Sequence, residues 1–204
     1  MSAALPRRLF MTSGPAGSRA IALTFDDGPD PVQTPALLDR LRALELRATF
    51  FVIGARVEAH PGLVRRMAEE GHEVGHTWSH GPPHQTSAST LLDEARRTIE
   101  LLRQLTGRPG QLCRPPNGKL SPAKLLGLWS LGQSVVLWNR DPKDYRLRGL
   151  EPFHGWLKSE SLQGGDIVLL HDNHGLVVPV LDAIAEQAAA LGLGFTTPSE
   201  WIVG

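Results

Sequence analysis

The chain has 204 residues, with 21 Lys+Arg balanced by 21 Asp+Glu and 41% hydrophobic residues. That length supports one sizeable core and a single domain, and the balanced charge gives no support for a nucleic-acid or acidic-membrane surface. The single cysteine, Cys113, excludes an internal disulfide and a multi-cysteine metal site, and no apolar run is long enough to span a bilayer.

Residues 1–19 show little periodicity and read as an N-terminal tail or edge segment, ahead of one domain over 20–204. Arg7 and Arg8 are followed by no sustained apolar region before Gly14-Pro15, so no export signal is expected. As it stands the sequence points to the cytoplasm; a trimmed secreted or cell-envelope protein would look the same. The apolar run Ile21-Ala22-Leu23-Thr24-Phe25 reads as a buried strand and stops on Asp26-Asp27 and a Gly28-Pro29 turn. Helical spacing of Leu37, Leu38, Leu41 and Leu44 predicts a helix over 34–46. A strand over 48–53 and a helix over 61–70 follow, the latter opened by Pro61 and closed by Gly71. A short strand at 72–75 leads into His76. Beyond it come an amphipathic helix at 91–105, a strand at 112–114 cut off by Pro115-Pro116, a helix at 122–131 and a strand at 134–138. The chain closes with a helix at 150–158, a buried strand at 166–170, an alanine-rich helix at 178–191 and a short strand at 195–197.

Continuous apolar strands alternating with helices are the pattern of a parallel α/β sheet. The count is roughly six or seven strand–helix units, near barrel size. Asp26, Asp27, His76, Arg114, Asp141 and His171 all fall at strand C-terminal ends, the edge where parallel α/β folds place their chemistry.

Two adjacent carboxylates do not both ionise cheaply without a cation beside them. Asp26 and Asp27 are therefore either an acidic turn in water or a site in which one binds a metal and the other acts as base. His76-Thr77-Trp78-Ser79-His80 places two imidazoles at i and i+4, which share a face on a helical turn and can reach one ion; two surface histidines are the alternative. Thr77 stands where zinc proteases carry the glutamate base. Asp27 is the carboxylate chosen to complete the set with His76 and His80, leaving Asp26 as base. Arg114 needs a carboxylate if buried, and Asp26 suits it. The Asn117 N–H in the Pro-Pro-Asn-Gly turn can face an oxyanion. Asp141 can complete a charge network with Arg114, and Tyr145 can line a sugar-sized groove. His171 reads as a general acid with a pKa tunable near neutrality, and Leu169 can floor a small apolar pocket. Asp144 reads as a cap or turn residue; His60, His72, His84, His154 and His174 are assigned no function.

In this order the stretches resemble the polysaccharide deacetylase family, the carbohydrate esterase group with the NodB homology domain. Thr24-Phe25-Asp26-Asp27-Gly28-Pro29 resembles its first motif, His76-Thr77-Trp78-Ser79-His80 the second and Arg114-Pro115-Pro116-Asn117-Gly118 the third. Asp141-Pro142-Lys143-Asp144-Tyr145 resembles the fourth and Leu169-Leu170-His171 the fifth. The resemblance implies a distorted (β/α)7-type barrel with parallel strands and outer helices. It implies Asp26 as base, Arg114 as its orienting partner, His171 as acid, and Asp27, His76 and His80 as ligands of a divalent ion, zinc or cobalt. The implied substrate is an N-acetylglucosamine-containing poly- or oligosaccharide; an O-acetyl xylan, a small amide, or an inactive carbohydrate-binding relative are the alternatives. No nucleic-acid partner or transmembrane segment is implied, and the oligomeric state is left open. The family usually carries one more residue, often Asn, between the glycine at Gly75 and the first metal histidine; here Gly75 meets His76 directly. Cys113 and Asn117 replace aromatic residues, and Tyr145 replaces a Trp.

Overall fold

The computed structural model describes residues 6–77 and 86–203. The strand–helix alternation holds along most of it. β1 (Phe10–Met11) precedes β2 (Ala20–Asp26). Then come α1 (Gln33–Ala43), β3 (Thr49–Val52), α2 (Gly54–Ala59), α3 (Pro61–Glu69) and β4 (Glu73–His76). α4 (Ala88–Thr106), β5 (Leu112–Cys113), α5 (Pro122–Ser130) and β6 (Ser134–Val136) follow. α6 (Glu151–Ser159), β7 (Ile167–His171), α7 (Val177–Ala190), β8 (Gly194–Thr196) and α8 (Pro198–Val203) complete the chain. Pro61 starts α3, and Gly71 lies just past its end at φ +82°, a left-handed turn that glycine adopts without strain. The Ser87 side chain caps α4 by accepting the Thr90 N–H at 3.1 Å. α2 and α8 were not expected; at six residues each they are too short to show helical periodicity.

All pairings are parallel, in the order β1-β6-β5-β4-β3-β2-β7, with β8 added to the first residues of β2. The sheet curls into a distorted, open barrel. After β6 the chain crosses toward β7: Arg140 bridges to Val168, and the Leu169 N–H donates to the Arg140 carbonyl at 2.9 Å. Helices cover the outer face, where Leu37, Leu41, Val64, Met67, Leu102, Phe153, Leu181 and Ile184 bury the outward side chains Phe25, Phe50 and Val52.

Register settles which side chains share the inner face. Asp26 pairs with Phe51 on one side and His171 on the other, and Phe51 pairs with Gly75. Residues opposite one another in a parallel ladder point the same way, and successive residues alternate. The inner face therefore carries Thr24, Asp26, Phe51, Gly75, Leu112, Leu169 and His171. A Cβ at Gly75 would lie 2.7 Å from the Leu112 carbonyl oxygen and 2.9 Å from the Phe51 ring. Gly75→Ala is expected to cost about 1–3 kcal/mol, the penalty of forcing an extra carbon into a filled interior, read as a lower urea midpoint at unchanged slope.

Candidate active site

The site begins where β2 ends. Asp27 takes φ +74°, the left-handed region that Asp tolerates better than most residues. The bend ahead of the Gly28-Pro29 turn is thus made by Asp27. Gly28 is required for a different reason: a Cβ there would sit 2.2 Å from a carboxylate oxygen of buried Asp172. The turn is pinned from β3 by the Ile53 N–H, which donates to the Gly28 carbonyl at 2.9 Å.

Arg114, fully buried, rises from the end of β5 into this turn. Its Nη1 donates to Asp26 Oδ1 at 2.7 Å and to Thr24 Oγ1 at 2.8 Å. Its Nε donates to the Val136 carbonyl and its Nη2 to the Leu137 carbonyl, both at 3.0 Å. The guanidinium lies 4.1 Å over the Phe51 ring. Burial raises the Asp26 pKa above the usual carboxylate range even against the Arg114 charge, with Asp27 adding to the rise. Burial likewise lowers the Arg114 pKa, and Asp26 opposes that.

His171 ends β7 beside Asp26 on the inner face. Its Nδ1–H donates to Asp144 Oδ1 at 2.7 Å, and its backbone N–H donates to Asp144 Oδ2 at 2.7 Å. Asp144 thus engages Nδ1 rather than Nε2 of the ring. Burial would lower the His171 pKa; the hydrogen bond and charge of Asp144, with the fields of Asp26 and Asp27, outweigh it and hold the pKa above its ordinary value. Asp144 is buried, which would raise its pKa, but the two histidines it serves bring it below the usual range. The second is His174: its Nδ1 accepts the Leu176 N–H at 3.3 Å, so Nε2 carries the proton and donates to Asp144 Oδ2 at 2.9 Å.

The sequence reading missed Asp144 and His174. Asp144 came within its fourth motif and was set aside as a turn residue; the one signal for it was an acid three residues past Asp141, beside Tyr145. Asp141, given the network with Arg114, is held by its own loop: its carboxylate pairs with Lys143 Nζ and accepts the Lys143 N–H at 3.0 Å. It reaches Arg114 through its field alone. Tyr145 is half exposed and meets the His171 ring edge-on at 5.0 Å. Leu169, buried, lies two residues below His171 on the same face. Asn117 is exposed at φ +55°, in the turn after Arg114.

The proposed metal residues do not come together among the described residues. Asp27 lies close enough to Asp26 and His171 to shift both. His76 is fully buried, and its Nε2–H donates to Gln133 Oε1 at 3.0 Å. It belongs to β4 itself rather than to a helical turn, paired with Val52 and Cys113. His80 lies outside the described residues. No group of three His, Cys, Asp or Glu suited to a metal ion is found among those described. His76, held in β4 and bonded to Gln133, does not fit the role the resemblance implies for it, and no chemical step is derived through a metal.

Two measurements probe the charge network. Arg114→Met leaves Asp26 buried without its cation and is expected to cost about 3–5 kcal/mol, read by chemical unfolding. Asp144→Asn removes the charge that raises the His171 pKa, so NMR titration should show the imidazole losing its proton at lower pH. The linkage has a definite sign. A raised folded pKa gives stability that is complete below the unfolded value of about 6.5 and is lost as pH rises through the folded value. That stability should be largely absent in Asp144→Asn.

A family model described as polysaccharide deacetylase matches residues 13–136, more than half of the chain. A peptidoglycan-N-acetylglucosamine deacetylase of Bacillus cereus is 36% identical over 192 residues, covering 91% of this chain and 89% of that protein. A chitooligosaccharide deacetylase of a Bradyrhizobium species is 33% identical, covering 90% and 85%. The crystal structure of a peptidoglycan N-acetylglucosamine deacetylase superposes with a TM-score of 0.87 at 32% identity, covering 93% of this chain and 90% of that one. The chitin deacetylase of the fungal pathogen Colletotrichum lindemuthianum gives 0.87 at 29%, covering 97% and 93%. With Asp26, Arg114 and His171 gathered at the barrel mouth, the chain belongs to the polysaccharide deacetylase family.

Proposed function

We propose that this protein removes the N-acetyl group from N-acetylglucosamine units of peptidoglycan-type or chitooligosaccharide-type saccharides. The observation that carries the reading is one pair on adjacent strands. Asp26, held by buried Arg114, stands beside His171, held by Asp144, both on the inner face.

Amide hydrolysis needs a base to take a proton from the attacking water and an acid to protonate the leaving nitrogen. Asp26 is the base. Its raised pKa makes it a better proton acceptor than an exposed carboxylate, and Arg114 fixes where its oxygens point. His171 is the acid, delivering its proton from Nε2 while Asp144 steadies the imidazolium that precedes delivery. Asn117 offers its backbone N–H to the oxyanion, a donor of a kind worth about 3 kcal/mol. Leu169 meets the acetyl methyl, and Tyr145 borders the sugar.

The resemblance implies a divalent ion in addition. Such an ion supplies Lewis-acid polarisation of the carbonyl and a more acidic water. Zinc is the first candidate and cobalt the second, with Asp27 the described carboxylate beside the base.

The test is acetate release with added zinc or cobalt, run side by side on N-acetylglucosamine oligomers, peptidoglycan, acetylated xylan and small amides. Release from the first two at rates well above the others is expected; release from none would end the proposal. His171→Ala should lower turnover on the N-acetyl substrates by about 100-fold or more, the share a positioned acid contributes. An O-acetyl ester has a better leaving group and should lose far less, so equal losses on amide and ester would count against His171 as the acid.

A further inference from the structure

We infer that His76 is a structural histidine and not a metal ligand, so that any divalent ion at the barrel mouth of this chain is held without it. The observation is the register of β4. Asp26, Phe51 and Gly75 lie opposite one another across three adjacent strands, and the Phe51 ring lies beneath the Arg114 guanidinium. Gly75 is therefore on the inner face, the face of the base. A Cβ on Gly75 would strike Phe51 and the Leu112 carbonyl, which confirms its direction. His76 comes next, and successive residues of a strand point to opposite faces. Its ladder partners agree. Val52 packs in the outer layer with α1, α3 and α7, and Cys113 packs outside with Leu91 and Ala95 of α4 and Leu128 of α5.

A bulge between Gly75 and His76 would reverse that direction. The ladder leaves no room for one. His76 pairs with Val52, the Thr77 N–H donates to the Val52 carbonyl at 3.0 Å, and the Arg114 N–H donates to the His76 carbonyl at 3.0 Å. β4 is regular on both edges through His76. The imidazole then has its own engagement on the outer side, donating from Nε2 to Gln133 Oε1 just ahead of β6. The next residue, on the inner side by alternation, is Thr77, which has no imidazole to offer. The chain is one residue short between Gly75 and its first histidine, and a one-residue shift sends a side chain to the other face of its sheet. The inference rests on the deacetylase reading only for where the ion would lie.

The test measures zinc affinity without substrate, by competition with a chromophoric chelator, and is separate from acetate release. Three proteins are compared: the natural chain, His76→Asn, and the chain with one Asn inserted between Gly75 and His76. His76→Asn should melt at a lower temperature, because a buried bond to Gln133 is altered, yet bind zinc within about twofold of the natural chain. The insertion should turn the imidazole inward and tighten zinc by about tenfold or more, at least the effect that even an outer-shell partner has on a metal. The inference is overturned if His76→Asn melts cooperatively but loses about tenfold or more in affinity, or if the insertion melts cooperatively without any gain. Should a variant fail to fold, the natural chain labelled with 15N-histidine decides. A His76 Nε2–H signal that survives saturating zinc with its shifts unchanged supports the inference, and displacement of the His76 ring nitrogen shifts by zinc defeats it.

Discussion

The ion pair between Arg114 and Asp26 is the interaction on which the rest of the structure depends. A guanidinium with no exposed surface is affordable only if each of its edges meets an acceptor and its charge meets an anion. Asp26 supplies the charge, Thr24 shares the same guanidinium nitrogen, and the Val136 and Leu137 carbonyls accept from Nε and Nη2. These partners come from β2 and from the end of β6, while Arg114 itself follows β5. Three strand ends are thus tied by one side chain across the interior. Such a network is intolerant of a missing member, because the charge left behind has no water to turn to. The placement of Asp26 and the closure of this end of the barrel are consequences of the same contact.

A second tie completes the mouth. The sheet ends at β1 on one side and β7 on the other, and the segment after β6 spans the gap by bridging Arg140 to Val168. That crossing carries Asp144 to the end of β7, where its two oxygens receive three hydrogen bonds from His171 and His174. His171 is therefore oriented by a loop that also bridges to β7. Motion of that loop would disturb closure and the orientation of His171 together.

Much of this was legible from the sequence, and the parts that were not share a cause. Asp26, Arg114 and His171 stand where short apolar runs stop, and an apolar strand that ends on a charge places that charge at the edge of the sheet. Asp144 follows no such run. Its importance comes from a crossing between strands distant in sequence, which periodicity does not register, so it looked like a turn residue. The Gly28-Pro29 turn signal points to the right stretch but not to the residue that bends. The unusual φ belongs to Asp27, and Gly28 is small because Asp172, just past the end of β7, approaches it. His76 turned on the choice between two periods. A histidine pair at i and i+4 shares a face in a helix, but in a strand the face is decided by counting from a residue of known direction, and Gly75 supplies that count.

The proposed hydrolysis asks one group at the barrel mouth to accept a proton and another to give one. Burial alone does not divide these tasks, because it favours the uncharged form of each and would leave a neutral acid beside a neutral imidazole. The division comes from the partners. Arg114 opposes the rise of the Asp26 pKa, so the carboxylate is lifted above an exposed one while its ionised form remains supported. Asp144 reverses the fall expected of a buried imidazole, so His171 keeps its proton to higher pH. Asp26 and His171, adjacent in register, also favour each other's charged forms. A neutral residue in place of Arg114 would let the Asp26 pKa rise further, and one in place of Asp144 would let the His171 pKa fall, so each group's charged form depends on a buried partner of opposite charge.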